Sequence, residues 1–185
     1  YGCENLSSVK FPEGLKVIGD AAFYGCENLS SVKFPEGLKV IENAAFYGCE
    51  ELESVALPGS LIMIGVAAFQ DCSNLNHVDI SQWRMPFFEL SVFDGCESLK
   101  LLEFPSSVKE LKVMYKIDTD TSDVSVRACM PPECIIDLSK VELIRFYKTS
   151  NLENKDVDLN NINSEKSRLE QKFRDMGFAG DFVWD

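Results

Sequence analysis

The stretch YGCENLSSVKFPEGLKVIENAAF, residues 24–46, decides the fold, because the chain writes it almost twice. Residues 1–23 match it at 21 of 23 positions, with Gly19-Asp20 where Glu42-Asn43 stand later. Residues 47–69 (YGCEELESVALPGSLIMIGVAAF) keep the same frame. Residues 70–93 keep it with one residue added (QDCSNLNHVDISQWRMPFFELSVF), and a fifth copy opens at Asp94 (DGCESLKLLEFPSSVKEL). Cys3, Cys26, Cys49, Cys72 and Cys96 mark the spacing as 23, 23, 23 and 24 residues. A fixed period of this length is the signature of a repeat architecture.

One copy can be read physically. In Leu29-Ser30-Ser31-Val32-Lys33-Phe34-Pro35, alternation places Val32 and Phe34 on one face and Ser31 and Lys33 on the other, as in a short strand. Pro35 ends the strand and Glu36-Gly37 turns the chain. Leu38 and Ile41 return to the core, Ala44-Ala45-Phe46 crosses back, and Tyr47-Gly48-Cys49 leads into the next strand. About six inward apolar side chains stabilise a copy by roughly 1.5–3 kcal/mol each. Ordering its residues costs on the order of 1–2 kcal/mol apiece. A single copy loses that balance, whereas stacked copies share a core and win it.

Composition narrows the function. The apolar fraction of 45% belongs to a folded chain. No run approaches the ~18 apolar residues of a membrane span, so no direct membrane insertion is expected. A formal charge of −12 argues against nucleic acid and anionic lipid as partners. The single histidine, His77, leaves little room for metal or acid–base chemistry. Neither a nucleophile–base pair nor a glycine-rich phosphate loop is present. Asn5-Leu6-Ser7 and Asn28-Leu29-Ser30 are formal glycosylation sequons, but they arise from the repeat itself and abut an inward leucine.

The pattern F-x-G-C-x-x-L-x-x-V-x-(F/L/I)-P-x-x-(L/V)-x-x-I-x-x-x-A-F resembles the BspA-like, or Treponema-type, leucine-rich repeat over residues 1–111. The resemblance implies a leucine-rich-repeat solenoid, mainly β with a parallel sheet on one face. It implies no enzymatic activity and no cofactor. Family members are mostly surface or secreted interaction proteins, some of them adhesins for host matrix proteins. The expected role is therefore a protein-binding module at the cell surface or secreted; the alternative is an intracellular, cytoplasmic scaffold or a subunit of a larger assembly. The frame opens at Tyr1 without its preceding Phe, which predicts further repeats ahead of it.

The outward strand positions are the candidate binding face. Before the Val of each strand stand Ser8, Ser31, Ser54, His77 and Leu101. After it stand Lys10, Lys33, Ala56, Asp79 and Glu103. Stacked about 4.7–4.9 Å apart, they form a stripe basic at one end and acidic at the other. That stripe reads either as a graded binding surface for a protein ligand or as ordinary solvated strand faces. A second candidate patch joins Trp83, Arg84 and Phe87 of the fourth copy with Trp184, since aromatics and Arg anchor interfaces when exposed. Core filling around the added residue is the preferred reading of the fourth-copy cluster.

One cysteine per copy predicts a buried, reduced column rather than disulfides. Cys129 and Cys134 lie outside the frame and read as two free thiols or a disulfide; the ligands for zinc are lacking. Residues 112–185 are expected to form a small α+β cap over the last core layer. Leu111, Val113, Tyr115 and Ile117 alternate as a strand, and Val124–Arg127 completes a hairpin. The aspartates of residues 118–123 and the polar run 151–163 lack the Gly and Glu of a calcium loop. Leu138-Ser139-Lys140-Val141-Glu142-Leu143 opens either a degenerate sixth copy or a helix capped at Ser139, strand being favoured through Tyr147. A terminal helix is expected over residues 164–176, capped by Ser164 and ended at Gly177, with Phe178 packing back on Phe173.

Overall fold

The structure, a computed structural model, describes residues 2–118, 125–132, 134–148 and 159–185. Each copy supplies two short strands on different faces of the stack. The first set is β1 (Ser8–Lys10), β3 (Ser31–Lys33), β5 (Ser54–Ala56) and β7 (His77–Asp79), with β2 (Val17–Ile18), β4 (Val40–Ile41) and β6 (Met63–Ile64) between them in the chain. β1-β3-β5-β7 form one parallel sheet and β2-β4-β6 another. Register advances one repeat at a time: Ser8 pairs with Ser31, Ser31 with Ser54 and Ser54 with His77. The architecture is the parallel solenoid expected. The second strand of each copy was not foreseen, since two residues are too few for a period to show.

The core is a ladder of like on like. Phe23, Phe46 and Phe69 stack nearly parallel with centroids 5.1 and 5.2 Å apart, and Phe93 continues the column at 5.9 Å. Leu29, Leu38, Ile41, Leu52, Leu61 and Leu75 are fully buried around it. Cys26, Cys49, Cys72 and Cys96 are buried in their column, but Cys3 is exposed. Burial at this site needs a copy stacked on each side, and the first layer has one neighbour. The column also carries polar work. The thiols of Cys49, Cys72 and Cys96 donate to the carbonyls of Phe23, Phe46 and Phe69 at 3.2, 3.2 and 3.1 Å. Burial pushes the Cys49 and Cys96 thiols up to about 12, which keeps them protonated as donors.

The fourth copy changes the pattern. Its added residue falls in the Ser81–Arg84 turn, between β7 and β8 (Phe87–Glu89). Trp83 there is buried, packs edge-on against Phe88 at 5.2 Å and donates from its indole to the Phe87 carbonyl at 3.0 Å. A 3-10 helix, Leu90–Phe93, follows, with Glu89 accepting from the Ser91 N–H. The next copy contributes β9 (Leu101–Glu103) and β10 (Glu110–Asp118). β8 pairs with β10, not with β6, and β9 does not pair with β7. Pro86 gives the reason for the first break. Its equivalent Ile62 donates to the Lys39 carbonyl at 2.9 Å, and Lys109 donates to the Pro86 carbonyl at 2.8 Å. Proline has no N–H to complete the rung between them.

Beyond β10 the chain adds β11 (Ser125–Ala128), β12 (Ile135–Asp137), β13 (Leu143–Lys148), α1 (Leu159–Asp175) and β14 (Asp181–Trp184). β10 pairs antiparallel with β11 and parallel with β13, and β14 pairs parallel with β13. The expected division between residues 111 and 112 falls inside β10. β12 pairs with β9, Ile135 opposite Leu101 and Asp137 opposite Glu103. The sixth strand is therefore Ile135–Asp137, and Leu138 occupies the Phe104 place instead of opening the copy. Val141 is buried and Leu143–Lys148 is strand, so the helical alternative for this stretch is excluded.

α1 starts at Leu159, so Ser164 lies inside it and caps nothing. Asn-rich residues favour turns in isolation, but packing of Leu169 and Phe173, both buried, carries the helix upstream of the stripe. Its end is as expected at Gly177, φ 90°, where the Gly177 and Phe178 N–H groups donate back to Arg174 and Phe173. Phe178 packs against Phe182, centroids 5.0 Å apart. Residues 119–124 and 149–158, which carry most of both aspartate-rich stretches weighed for calcium, lie outside the described residues.

Candidate functional site

The β1-β3-β5-β7 sheet sets two exposed columns side by side. Ser8, Ser31, Ser54 and His77 form one; Lys10, Lys33, Ala56 and Asp79 form the other. The intervening Val9, Val32, Val55 and Val78 turn inward, with Val55 and Val78 fully in the core. Leu101 and Glu103 are exposed on β9, in the separate β9-β12 sheet. The structure thus brings eight of the ten strand-face residues onto one sheet and sets two across a gap.

Register adds two residues that the sequence reading missed. Ile135 extends the first column beyond Leu101, and Asp137 extends the second beyond Glu103. The second column then reads Lys, Lys, Ala, Asp, gap, Glu, Asp. The signal was present in Ile135-Ile136-Asp137-Leu138, which copies the x-V-x-F strand form, but no leucine precedes it at the usual place. Asp79 and Asp137 share a local device. Each carboxylate accepts from the backbone N–H two residues on, at Ser81 (2.9 Å) and Ser139 (3.0 Å). The Ser81 and Ser139 side chains, and then these backbone bonds, hold the two carboxyls below their ordinary range and keep them charged.

The gap between β7 and β9 is a cleft of about 570 Å³, lined among others by His77, Asp79, Ser81, Leu101, Glu103 and Lys140. The Lys140 ammonium is anchored on the Phe104 carbonyl at 3.1 Å. A second apolar feature lies on the other face, where Val17, Ile62, Met63 and Val66 are exposed on and beside the β2-β4-β6 sheet.

The second candidate patch is not an assembled surface. Trp83 is buried in the fourth-copy turn, and only Arg84 of the four residues is fully exposed. Phe87 is half-buried beneath the Lys112 ammonium, 3.9 Å from its ring. Trp184 stacks on Phe146 at 4.0 Å, meets Tyr115 edge-on at 5.3 Å and donates to the Glu170 carboxylate. Trp184 is thus half-buried against the buried rings of Phe146 and Tyr115 in the C-terminal region. Nearby, the Glu89 carboxylate accepts from the Tyr147 hydroxyl and joins the fourth copy to β13. Burial pushes the Glu89 carboxyl up, and burial also raises the Tyr147 phenol. Among the described residues no group of three or more His, Cys, Asp or Glu is placed to hold a metal ion, and no helix is long and apolar enough to cross a membrane.

Comparison with known proteins matches this geometry. The model of the BspA type leucine rich repeat region matches residues 1–115 in six copies. A leucine-rich repeat protein from Bacteroides ovatus ATCC 8483 superposes with a TM-score of 0.63 at 24% identity, over 84% of this chain and 37% of that one. The leucine-rich repeat protein of T. pallidum superposes with a TM-score of 0.58 at 24% identity, over 100% of this chain and 77% of that one. The chain thus spans little more than a third of the Bacteroides protein. No curated protein matches the chain.

Proposed function

The chain belongs to the BspA-type leucine-rich repeat family, and from that premise we propose that it is a non-catalytic protein-interaction module of a cell-surface or secreted protein. Its binding face is the strand stripe of Ser8, Lys10, Ser31, Lys33, Ser54, Ala56, His77 and Asp79, continued by Leu101 and Glu103. One observation carries this reading: four strands in register present two exposed polar columns whose charge changes sign along the stack. Such a surface orients a partner through electrostatic complementarity. Residues 112–185 act as the cap. Buried Phe146 and Phe173 supply the core of that region.

The test uses the full chain against a panel of immobilised extracellular-matrix proteins. Saturable binding to at least one member, weakened by the double charge reversal Lys33→Glu with Asp79→Lys, supports the reading. Binding that ignores the reversal, or none across the panel, contradicts it. The cell-surface assignment is checked separately, by protease accessibility of the full-length protein on intact cells.

A further inference from the structure

We propose that the seam between β7 and β9 is a strand-addition site that accepts an extended, basic segment of a partner protein. The inference rests on the strand stripe being the binding face, and it names how a partner would engage it. Among the described residues β7 pairs with β5 alone and β9 with β12 alone, so two strand edges face the same cleft of about 570 Å³. An unpaired edge is a template for another strand unless proline, a bulge or a covering element blocks it. The edge residues His77–Asp79 and Leu101–Glu103 contain no proline.

The direction of the peptide groups supports pairing. In a strand, successive N–H and C=O groups point to alternate sides. His77 donates to the Glu53 carbonyl and the Asp79 carbonyl accepts from Leu57, so both face β5. The peptide groups of Val78 therefore face the cleft. On β9, the Lys100 carbonyl accepts from Ile135 and faces β12, so those of Leu101 and Glu103 face the cleft from the other wall.

Charge selects the occupant. Asp79 and Glu103 stand on opposite walls, Asp137 lies beside Glu103, and the Ser81 hydrogen bond keeps Asp79 ionised. Lys140, the cleft's cation, is held on a backbone carbonyl. Lysines or arginines on alternate residues of an added strand would meet these carboxylates, and exposed Leu101 and Ile135 offer apolar contact beside them.

The experiment titrates the full chain with a fluorescent octapeptide of alternating Lys and Val. Two further probes are its Glu-Val counterpart and a Lys-Val peptide N-methylated on alternate amides. The expected result is saturable binding of the Lys-Val peptide, about tenfold weaker on N-methylation and about tenfold weaker to Asp79→Lys/Glu103→Lys chain. Slowed amide exchange at Val78, Leu101 and Glu103 accompanies it, and the Glu-Val peptide does not bind. Binding that falls with the charge reversal but ignores N-methylation overturns strand addition while leaving the strand face as a binding surface. No saturable binding of the Lys-Val peptide, or binding unaffected by the charge reversal, overturns the proposal. A matrix protein bound on the stripe in the face of either result leaves the broader functional reading standing.

Discussion

The first three copies and the fourth obey the same frame and behave differently. From residue 1 to residue 69 the rungs of the β2-β4-β6 sheet repeat from copy to copy: Ile62 donates to Lys39, Lys39 donates to Lys16, and the three strands keep register. The fourth copy keeps the phenylalanine and cysteine columns but loses both strand ladders on one side or the other. Column packing and strand pairing are therefore independent parts of the repeat. Column packing needs only a side chain of the right size at the right place. A ladder needs an N–H at every rung, and Pro86 removes the one between β6 and β8.

Substitutions separate these two kinds of support. Phe46→Ala, in a fully buried ring stacked between two others, should cost about 3–5 kcal/mol by chemical denaturation. Phe23→Ala, at a half-buried ring, should cost clearly less; equal losses would mean the column is not what the copies share. Trp83→Ala removes the residue that fills the fourth-copy turn and should cost about 3 kcal/mol. A loss below 1 kcal/mol, the scale of a surface change, would show the ring is not the wedge that holds the altered copy together. Gly48→Ala places a Cβ at φ +66°, with ordinary contact distances around it. Its cost should be about 1–2 kcal/mol, from backbone conformation alone.

Glu89 tests the joint by pH. Burial raises its carboxyl above the unfolded value, so the folded chain binds that proton more tightly. Its contribution is complete below the unfolded carboxyl pKa and is lost as pH rises through the raised one. Glu89→Gln should therefore gain on wild type as pH rises through that window, with denaturation midpoints compared across a pH series. A difference that does not change with pH would mean the carboxyl is not titrating in a buried site. The smallest effect belongs to Lys109–Glu142, an exposed pair at 2.7 Å. Lys109→Ala should leave the midpoint unchanged within error, because solvent screens such pairs.

The repeat was legible because Cys, Gly, Leu and Phe recur at fixed places, and the inward valines followed from alternation. What was not legible came from pairing between copies. Ile135–Asp137 takes the sixth place through its partners on β9, although Glu133 stands where the repeat has leucine. The strand at Asp181–Trp184 is set by β13, and its half-buried tryptophan stacks on Phe146. The strand-face residues could be named from the sequence. The gap that divides them could not, because it depends on the rungs lost around the fourth copy.

Residue-resolved hydrogen exchange of the full chain tests that gap directly. The amides of Lys33 and Asp79 should be protected by the strand before each, while those of Leu101 and Glu103 should exchange far faster in the free protein. Equal protection across all four would show pairing across the β7–β9 seam and would contradict the division of the stack.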